Sequence, residues 1–237
     1  MRQWVADANG YPVISTAPAN VSPATAQPKR VSVIGDSIST FRGYIPYGYS
    51  AHYPTTDGDL NLVGQTYWYR LIYDFMQNAR LERNISYSGT CVTNSSTTAD
   101  SYYAKRFIDQ QGVGDADIVI IHGGTNDCAK NIGQLVDGLS MKSHTPPSDS
   151  VVEALCQTAD KATTRAEIEA LDDTTFCEAY IKLIKLIRER RADTKIVCVI
   201  GDYLNGGIQQ SIHKIAKHYD AKVVDLLAVN GFNDQTY

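Results

Sequence analysis

Short apolar runs alternate with longer amphipathic segments along most of the chain. Runs of about five residues rich in Val and Ile are typical of strands in a parallel sheet, whose faces are both covered. The longer segments repeat apolar residues every three or four positions, as helices packed on a sheet do. The pattern predicts parallel βα units in one α/β domain with five strands. The predicted strands are 31–35, 83–87, 117–122, 195–200 and 222–226, and the predicted helices are 64–79, 99–110, 174–191 and 207–219.

The segment 174–191 has the clearest helical period. Asp173 or Thr174 is the expected N-cap, because a short oxygen-bearing side chain can accept a free N–H of the first turn. The basic run 188–191 suits the negative end of the helix dipole, and we interpret it as a solvated helix end rather than a nucleic-acid patch. The apolar stripe comprises Phe176, Tyr180, Leu183, Ile184 and Ile187.

Two regions lie outside the βα pattern. Residues 1–30 carry four Pro among Ala, Ser, Thr and Asn without sustained periodicity, which predicts an extended N-terminal arm before a domain at 31–237. Residues 139–173 are rich in Ser, Thr and Asp, and we expect an insertion over the sheet edge containing one short helix.

Composition narrows the class of protein. The chain has 237 residues, 43% hydrophobic and 20% charged, with a net charge of -4, which suits one globular domain and does not favour nucleic acid as a partner. The five Cys lack CxxC spacing, so neither a disulfide framework nor a zinc site is indicated. No apolar stretch approaches the length of a membrane span, and no signal peptide is visible, which leaves the compartment open.

Polar residues suited to catalysis follow four of the predicted strands. The carboxyl ends of parallel strands meet at one edge of the sheet, where ligands bind in open α/β folds. We therefore expect four loops to converge there: 35–37 (Gly-Asp-Ser), 87–90 (Tyr-Ser-Gly-Thr), 123–127 (Gly-Gly-Thr-Asn-Asp) and 201–203 (Gly-Asp-Tyr).

These blocks, in this order, resemble the SGNH or GDSL hydrolases. The resemblance spans residues 31–237 and implies a three-layer α/β/α domain with a flavodoxin-like, mostly parallel five-stranded sheet. It implies that Ser37 is the nucleophile, that Gly89 donates a backbone N–H to the oxyanion, and that Asn126 donates its side-chain amide. No metal or organic cofactor is implied.

The resemblance also suggests a substrate. The stretch 38–54, followed by Gln-Thr-Tyr-Trp at 65–68, is similar to a subgroup common among gut bacterial carbohydrate-active enzymes. The expected reaction is hydrolysis of a small acyl ester, with removal of acetyl groups from a glycan as the leading case. Related proteins are often exported to the periplasm, the cell surface or the medium, so export is the expected location. The oligomeric state stays open.

Elementary chemistry agrees with these roles. A Ser hydroxyl that attacks an ester produces a tetrahedral oxyanion, and the N–H groups of Ser37 and Gly89 with the amide of Asn126 would surround it. Asp36 is expected to brace the turn through loop amides rather than to transfer protons. Asp127 is expected to play a similar supporting role.

The family's base does not occur in the sequence. That base is a His three residues after an Asp, and none of the five His has Asp at that spacing. The first explanation is that the block follows Tyr237. The second is another base, His122 or His52, although we favour a half-buried His122 hydrogen-bonded to backbone and a His52 at the surface or the substrate mouth. The third is a pseudoenzyme that binds a ligand without cleaving it.

Simpler interpretations of each motif stay open. Ser37 alone would be an ordinary N-cap, Asn126 a turn residue and Gly89 the end of a strand; their combination favours catalysis. The aromatic residues near the nucleophile could stack on sugar rings or pack on one another. A non-catalytic carbohydrate-binding domain is the alternative function, and a nucleotide- or flavin-binding protein is disfavoured because no GxGxxG or P-loop occurs. These aromatic residues are Tyr44, Tyr47, Tyr49, Tyr53, Tyr67 and Trp68.

Overall fold

A five-stranded parallel sheet forms the centre of the computed structural model. The structure describes residues 4–6, 12–14, 27–56, 58, 60–94, 102–131 and 133–228. The strands are β3 (Lys29–Gly35), β4 (Ala79–Asn84), β5 (Ile118–His122), β8 (Lys195–Ile200) and β9 (Lys222–Asp225). The strand order across the sheet is β4-β3-β5-β8-β9, with every neighbouring pair parallel.

Two short antiparallel pairs lie outside this sheet. Strands β1 (Trp4–Ala6) and β2 (Pro12–Ile14) pair within the predicted N-terminal arm, whose other residues before 27 lie outside the described part of the chain. Strands β6 (Gln134–Val136) and β7 (Leu139–Ser140) form a hairpin after the third main strand. The main sheet begins at Lys29, two residues before the predicted domain boundary.

Both faces of the sheet are buried. Neighbouring residues of a strand point to opposite sides, so each strand contributes side chains to both layers. On β3, Val33 joins a core cluster with Trp68 and Ile72, whereas Ile34 joins a larger cluster with Phe176. The predicted three-layer α/β/α architecture is confirmed. The α-helices are α1 (Tyr67–Arg70), α2 (Tyr103–Asp109), α3 (Thr125–Lys130), α4 (Asp149–Asp160), α5 (Arg165–Glu169), α6 (Phe176–Arg190) and α7 (Gly206–His218).

The edge strand and the helix before it differ from the prediction. Strand β4 covers 79–84 rather than 83–87; Arg80 and Arg83 are exposed, as an edge strand allows, and the polar residues of the strand leave no continuous apolar run. The N–H groups of Ile85 and Tyr87 still donate to β3 carbonyls at 2.9 and 3.1 Å, so the chain continues beside β3. The predicted helix 64–79 is wrong as one element: a 3-10 turn at 63–65, α1 and a π-helix at 71–75 replace it.

The predicted insertion holds more structure than one short helix. Helices α4 and α5 both lie within 139–173, and α4 packs against α6 and α7. Ser148 caps α4 and Thr164 caps α5 with a capping box completed by Glu167. The Ser and Thr residues that cap these helices also give the region a loop-like composition, which explains why the second helix was not predicted.

The N-cap of helix α6 lies one residue after Thr174 and two residues after Asp173, the two predicted caps. Thr175 is the N-cap and its hydroxyl accepts the Glu178 N–H at 3.4 Å, so the prediction of Asp173 or Thr174 is wrong. Asp173 instead accepts hydrogen bonds from Lys182 Nζ at 2.6 Å and the Tyr102 hydroxyl at 2.7 Å in a buried network. A carboxylate needed by this network is not free to cap a helix.

The basic end of α6 contacts the protein itself. Arg188 donates to the Thr194 carbonyl, Arg190 to the Gly114 carbonyl and Arg191 to the Asp117 carboxylate, at 2.6 to 2.7 Å. These contacts fasten the helix to the amino edge of the sheet. They match the interpretation of this run as a helix end.

The five cysteines, all within the described residues, are not joined by disulfide bonds. Cys91, Cys156, Cys177 and Cys198 are buried and Cys128 is half-buried. Among the helices that the structure describes, none combines the length and apolar character needed to cross a bilayer.

Candidate active site

The carboxyl ends of the central strands meet at one edge, as predicted. In the sheet register, Gly35 of β3 lies opposite His122 of β5, which lies opposite Val199 of β8. The Tyr87 N–H donates to the Gly35 carbonyl at 3.1 Å, which brings the chain after β4 to the same level. The loops that carry Ser37, Gly89 and Asn126 therefore start from one row of the sheet.

Ser37 begins a single 3-10 turn, Ser37–Ser39, directly after β3. Asp36 is its N-cap and accepts the Ile38 N–H at 3.1 Å, as expected for a bracing residue. Gly35 is needed at the strand end, because a Cβ there would overlap the Ser39 side chain and lie 3.0 Å from the His122 carbonyl. Within the described residues the Ser37 N–H donates to no acceptor, and the residue is partly exposed. Its amide is therefore available to a ligand.

Gly89 turns the chain after β4 with φ of +79°, a left-handed value that glycine adopts freely. Its carbonyl accepts Lys130 Nζ at 2.7 Å, while its N–H has no acceptor among the described residues. The next residue, Thr90, donates its hydroxyl to the Tyr87 carbonyl at 2.7 Å and closes the turn. The loop thus holds the Gly89 carbonyl and leaves its N–H open.

Asn126 lies in the first turn of α3, after the left-handed Gly124 at φ of +108°. Its Nδ2 donates one hydrogen bond, to the Thr90 carbonyl at 2.9 Å. A carboxamide nitrogen has two hydrogens, so a second donor remains for another acceptor. The structure thereby joins Asn126 to the loop that carries Gly89.

Asp127 supports the segment that directly follows the Gly89 loop. Its carboxylate is fully buried and accepts the N–H groups of Val92 and Thr93 at 2.9 and 3.0 Å, and the Thr93 hydroxyl at 2.9 Å. Burial raises the pKa of Asp127, while these hydrogen bonds act in the opposite direction. The geometry agrees with the expected supporting role.

Burial also changes the ionisation of Asp36. Desolvation raises its pKa from 3.8 to about 6, although the Ile38 N–H and the Arg106 charge both lower it. Its second oxygen, Oδ2, is buried without a hydrogen-bond partner among the described residues. Asp36 is therefore a costly carboxylate at neutral pH, and it lies next to Ser37 in the chain.

Arg106, which the sequence did not single out as a site residue, is fully buried behind these loops. It lies on α2 between Tyr103 and Phe107, and its guanidinium donates to described acceptors at the end of β3 and in the stretch 85–90. An arginine on the apolar face of a predicted helix was the available signal, because a charge is buried only where acceptors are provided.

His122 differs from its expected state. It is 5% exposed rather than half-buried, and neither ring nitrogen has a hydrogen-bond partner in the described part of the chain, so the expected bond to backbone is not found there. The ring packs edge-on against Tyr67 at 5.3 Å, because the side chain points into the layer formed by α1. Burial lowers the pKa of His122 to about 4, so the ring is neutral at physiological pH.

The other four histidines are poorly placed to act as a base on Ser37. His52 is exposed, which fits the expected position at the surface, and His144 is also exposed. His213 faces Asp225 at 3.5 Å at the end of β9, three strand spacings, or about 14 Å, from β3. His218 bonds the Glu153 and Asp160 carboxylates at 3.0 and 2.8 Å. No histidine side chain hydrogen-bonds Ser37 within the described part of the chain.

Most of the aromatic stretch packs on itself. Trp68 is fully buried, and Tyr44, Tyr53 and Tyr67 pack around its core cluster. Tyr47 is fully exposed, and Tyr49 stacks on Tyr87 with ring centroids 4.6 Å apart. Residues 42–43 and 45–51 line a groove of about 450 Å³, and Ser50 at its edge accepts the Ser88 N–H at 2.9 Å. The groove therefore adjoins the Gly89 loop.

Comparison with known proteins identifies the family. A family model described as GDSL-like lipase/acylhydrolase matches residues 29–165, more than half of the chain. The protein therefore belongs to the GDSL-like lipase/acylhydrolase family, and the resemblance inferred from the sequence is confirmed. The search of curated proteins found no match.

Solved structures share the fold. A protein from Bacteroides ovatus, provisionally described as a GDSL-like lipase, has a TM-score of 0.65 and 25% identity, covering 86% of this chain and 87% of that one. A similarly described protein from Bacteroides uniformis has a TM-score of 0.61 and 26% identity, covering 84% and 83%. A possible lipase from Chitinophaga pinensis has a TM-score of 0.50 and 16% identity, covering 86% and 70%, a likeness of fold alone.

Proposed function

We propose that this protein is a serine esterase that cleaves small acyl esters and removes acetyl groups from a carbohydrate. The observation that carries the proposal is the set of free donors at one edge of the sheet. The N–H groups of Ser37 and Gly89 have no acceptor among the described residues, and Asn126 keeps one unused N–H beside them. Family membership supports ester hydrolysis as the reaction.

The proposed reaction has two halves. Ser37 Oγ attacks the ester carbonyl carbon while its proton passes to a base, and the three donors stabilise the negative oxygen of the tetrahedral intermediate. The intermediate collapses, the protonated alcohol leaves and an acyl-Ser37 ester remains. Water then attacks this ester, the acid is released and the Ser37 hydroxyl is restored.

The base is the unassigned part of this scheme. His122 is neutral and at the correct edge, but its ring is enclosed against Tyr67 rather than bonded to Ser37. No cofactor has a role in the scheme.

The carbohydrate part of the proposal rests on the resemblance of residues 38–54 and on the groove beside the Gly89 loop. Tyr47 is exposed at this groove, where its face could stack on a sugar ring. The expected partner is thus a glycan ester, and we propose an exported location for a protein acting on such material.

Hydrolysis of p-nitrophenyl acetate tests the esterase. The assay is run on the full-length wild-type protein and on its Ser37→Ala variant. We expect turnover by the wild-type protein, its loss in Ser37→Ala, and labelling of Ser37 by a fluorophosphonate. A wild-type protein inert toward both short acyl esters and the fluorophosphonate would show that the esterase proposal is wrong.

A non-catalytic glycan-binding domain is the second candidate. It is favoured by the absence of Asp-x-x-His from the sequence and by the exposed Tyr47 at the groove. This function predicts glycan binding in calorimetry that survives Ser37→Ala and is lost in Tyr47→Ala, without ester turnover. Turnover that depends on Ser37 contradicts it.

A further inference from the structure

Arg106 is a fully buried cation that the proposed reaction does not use. Its guanidinium carbon lies 4.4 Å from the centroid of the Tyr103 ring. Burying a charge is expensive unless hydrogen bonds compensate for the lost water, so the acceptors of this group indicate what it holds.

The acceptors belong to segments that carry the proposed site. Nη2 donates to the Gly35 carbonyl at 2.9 Å, two residues before Ser37. Nη1 donates to the Thr90 hydroxyl at 2.7 Å, one residue after Gly89, and Nε donates to the Ile85 carbonyl at 3.0 Å. One planar group thereby links the strand that leads to Ser37 with the loop that carries Gly89.

Thr90 extends this link to the third donor. Its hydroxyl accepts from Arg106 and donates to the Tyr87 carbonyl, and its own carbonyl accepts Asn126 Nδ2 at 2.9 Å. Thr90 is 2% exposed, so water does not compete freely for these bonds. The orientations of the Gly89 N–H and the Asn126 amide therefore depend on one threonine.

We propose that Arg106, acting through Thr90, is a positioning residue that fixes the oxyanion donors of Gly89 and Asn126 relative to Ser37. This inference rests on the proposed esterase function. Preorganised donors stabilise the transition state only while they point at the developing charge, and small misplacements at an active site are costly. Lysine cannot replace the guanidinium here, because it lacks the fork that reaches three acceptors in one plane.

Thr90→Val tests the link with little change of shape. The matched control is Thr194→Val, because Thr194 is also 2% exposed and its hydroxyl donates to the Ala116 carbonyl at 3.0 Å, before β5 at the opposite edge of the sheet. For Thr90→Val we expect kcat to fall about 10- to 100-fold with KM nearly unchanged. Thr90→Ser should restore kcat, and Thr194→Val should leave it unchanged.

Arg106→Lys is the companion variant, with Arg190→Lys as its control because Arg190 holds the distant Gly114 carbonyl at 2.7 Å. Arg106→Lys should lower kcat at least as much as Thr90→Val. In NMR spectra it should also move the Gly89 backbone amide and the Asn126 side-chain amide, which Arg190→Lys should leave in place.

The outcomes separate this inference from the function itself. Retained kcat in Thr90→Val, or unmoved Gly89 and Asn126 resonances in Arg106→Lys, overturns the positioning role while leaving the esterase intact. A wild-type protein without esterase activity removes the function, and moved resonances would then support only the physical link between Arg106 and the loop.

Discussion

At the residue scale, the proposed site is defined by hydrogen-bond donors that have no acceptor among the described residues. Backbone N–H groups are normally paired, and an open pair at a strand edge indicates a place kept for a ligand. Ser37 and Gly89 provide such N–H groups, and Asn126 adds a side-chain donor. The site is therefore preorganised by the protein's own hydrogen bonds.

Asn126→Ala is expected to lower kcat for p-nitrophenyl acetate by about 10²- to 10³-fold, because one oxyanion donor is lost. Asn126→Asp should be at least as impaired, since an ionised carboxylate cannot donate and repels the oxyanion. Steady-state kinetics measures both, and thermal unfolding of each variant checks that the fold is kept. Near-normal kcat in either variant would remove Asn126 from the oxyanion site.

At the element scale, the structure explains which predictions succeeded. Strand ends that carry Ser37 and Asn126 were predictable, because each follows a continuous apolar run and the chemistry is local. Arg106 was not, since the acceptors that the structure describes for it, Gly35, Ile85 and Thr90, lie far from it in the sequence. The edge strand β4 was predicted at the wrong position because its sequence contains several polar residues and therefore no continuous apolar run.

Helix starts show the same limit. Asp173, Thr174 and Thr175 all carry side chains able to cap α6, so local chemistry alone could not choose among them. The buried network of Asp173 with Lys182 and Tyr102 decides which residue caps the helix, and Tyr102 lies 71 residues away in the sequence.

Thr175→Ala should destabilise the protein by about 1 kcal/mol, because the first turn of α6 loses its cap. Thr174→Ala is the matched control and should change the free energy of unfolding by less than about 0.5 kcal/mol, as expected of a residue on the surface. Urea denaturation of the two variants measures the difference. Equal effects would contradict the assignment of Thr175 as the cap.

At the scale of the whole molecule, two buried groups give opposite dependences of stability on pH. Asp36 has its pKa raised to about 6, so the folded state binds more protons than the unfolded state between pH 4 and 6, and stability falls as pH rises. His122 has its pKa lowered to about 4, so the unfolded state binds more protons between pH 4 and 6.5, and stability falls as pH drops.

These opposing contributions predict a pattern among variants. Relative to wild type, Asp36→Asn should gain up to about 3 kcal/mol of stability as pH rises from 4 to 7. Relative to wild type, His122→Phe should gain a similar amount as pH falls from 6.5 to 4. Denaturation across this range measures both, and identical pH profiles for wild type and either variant would contradict the assigned shift.

The labelling rates of the buried and half-buried thiols can report local and global opening of the protein. Cys156, Cys177 and Cys198 are buried, so a labelling reagent reaches them only after large-scale opening. Burial also raises the pKa of Cys156 and Cys177 to about 12 and that of Cys198 to about 11, which keeps the less reactive thiol form. Half-buried Cys128 lies on α3, two residues after Asn126. Its labelling rate should follow local opening of the helix that carries the proposed oxyanion donor. One labelling time course on unmodified protein can therefore separate loosening of the proposed site from loss of the fold.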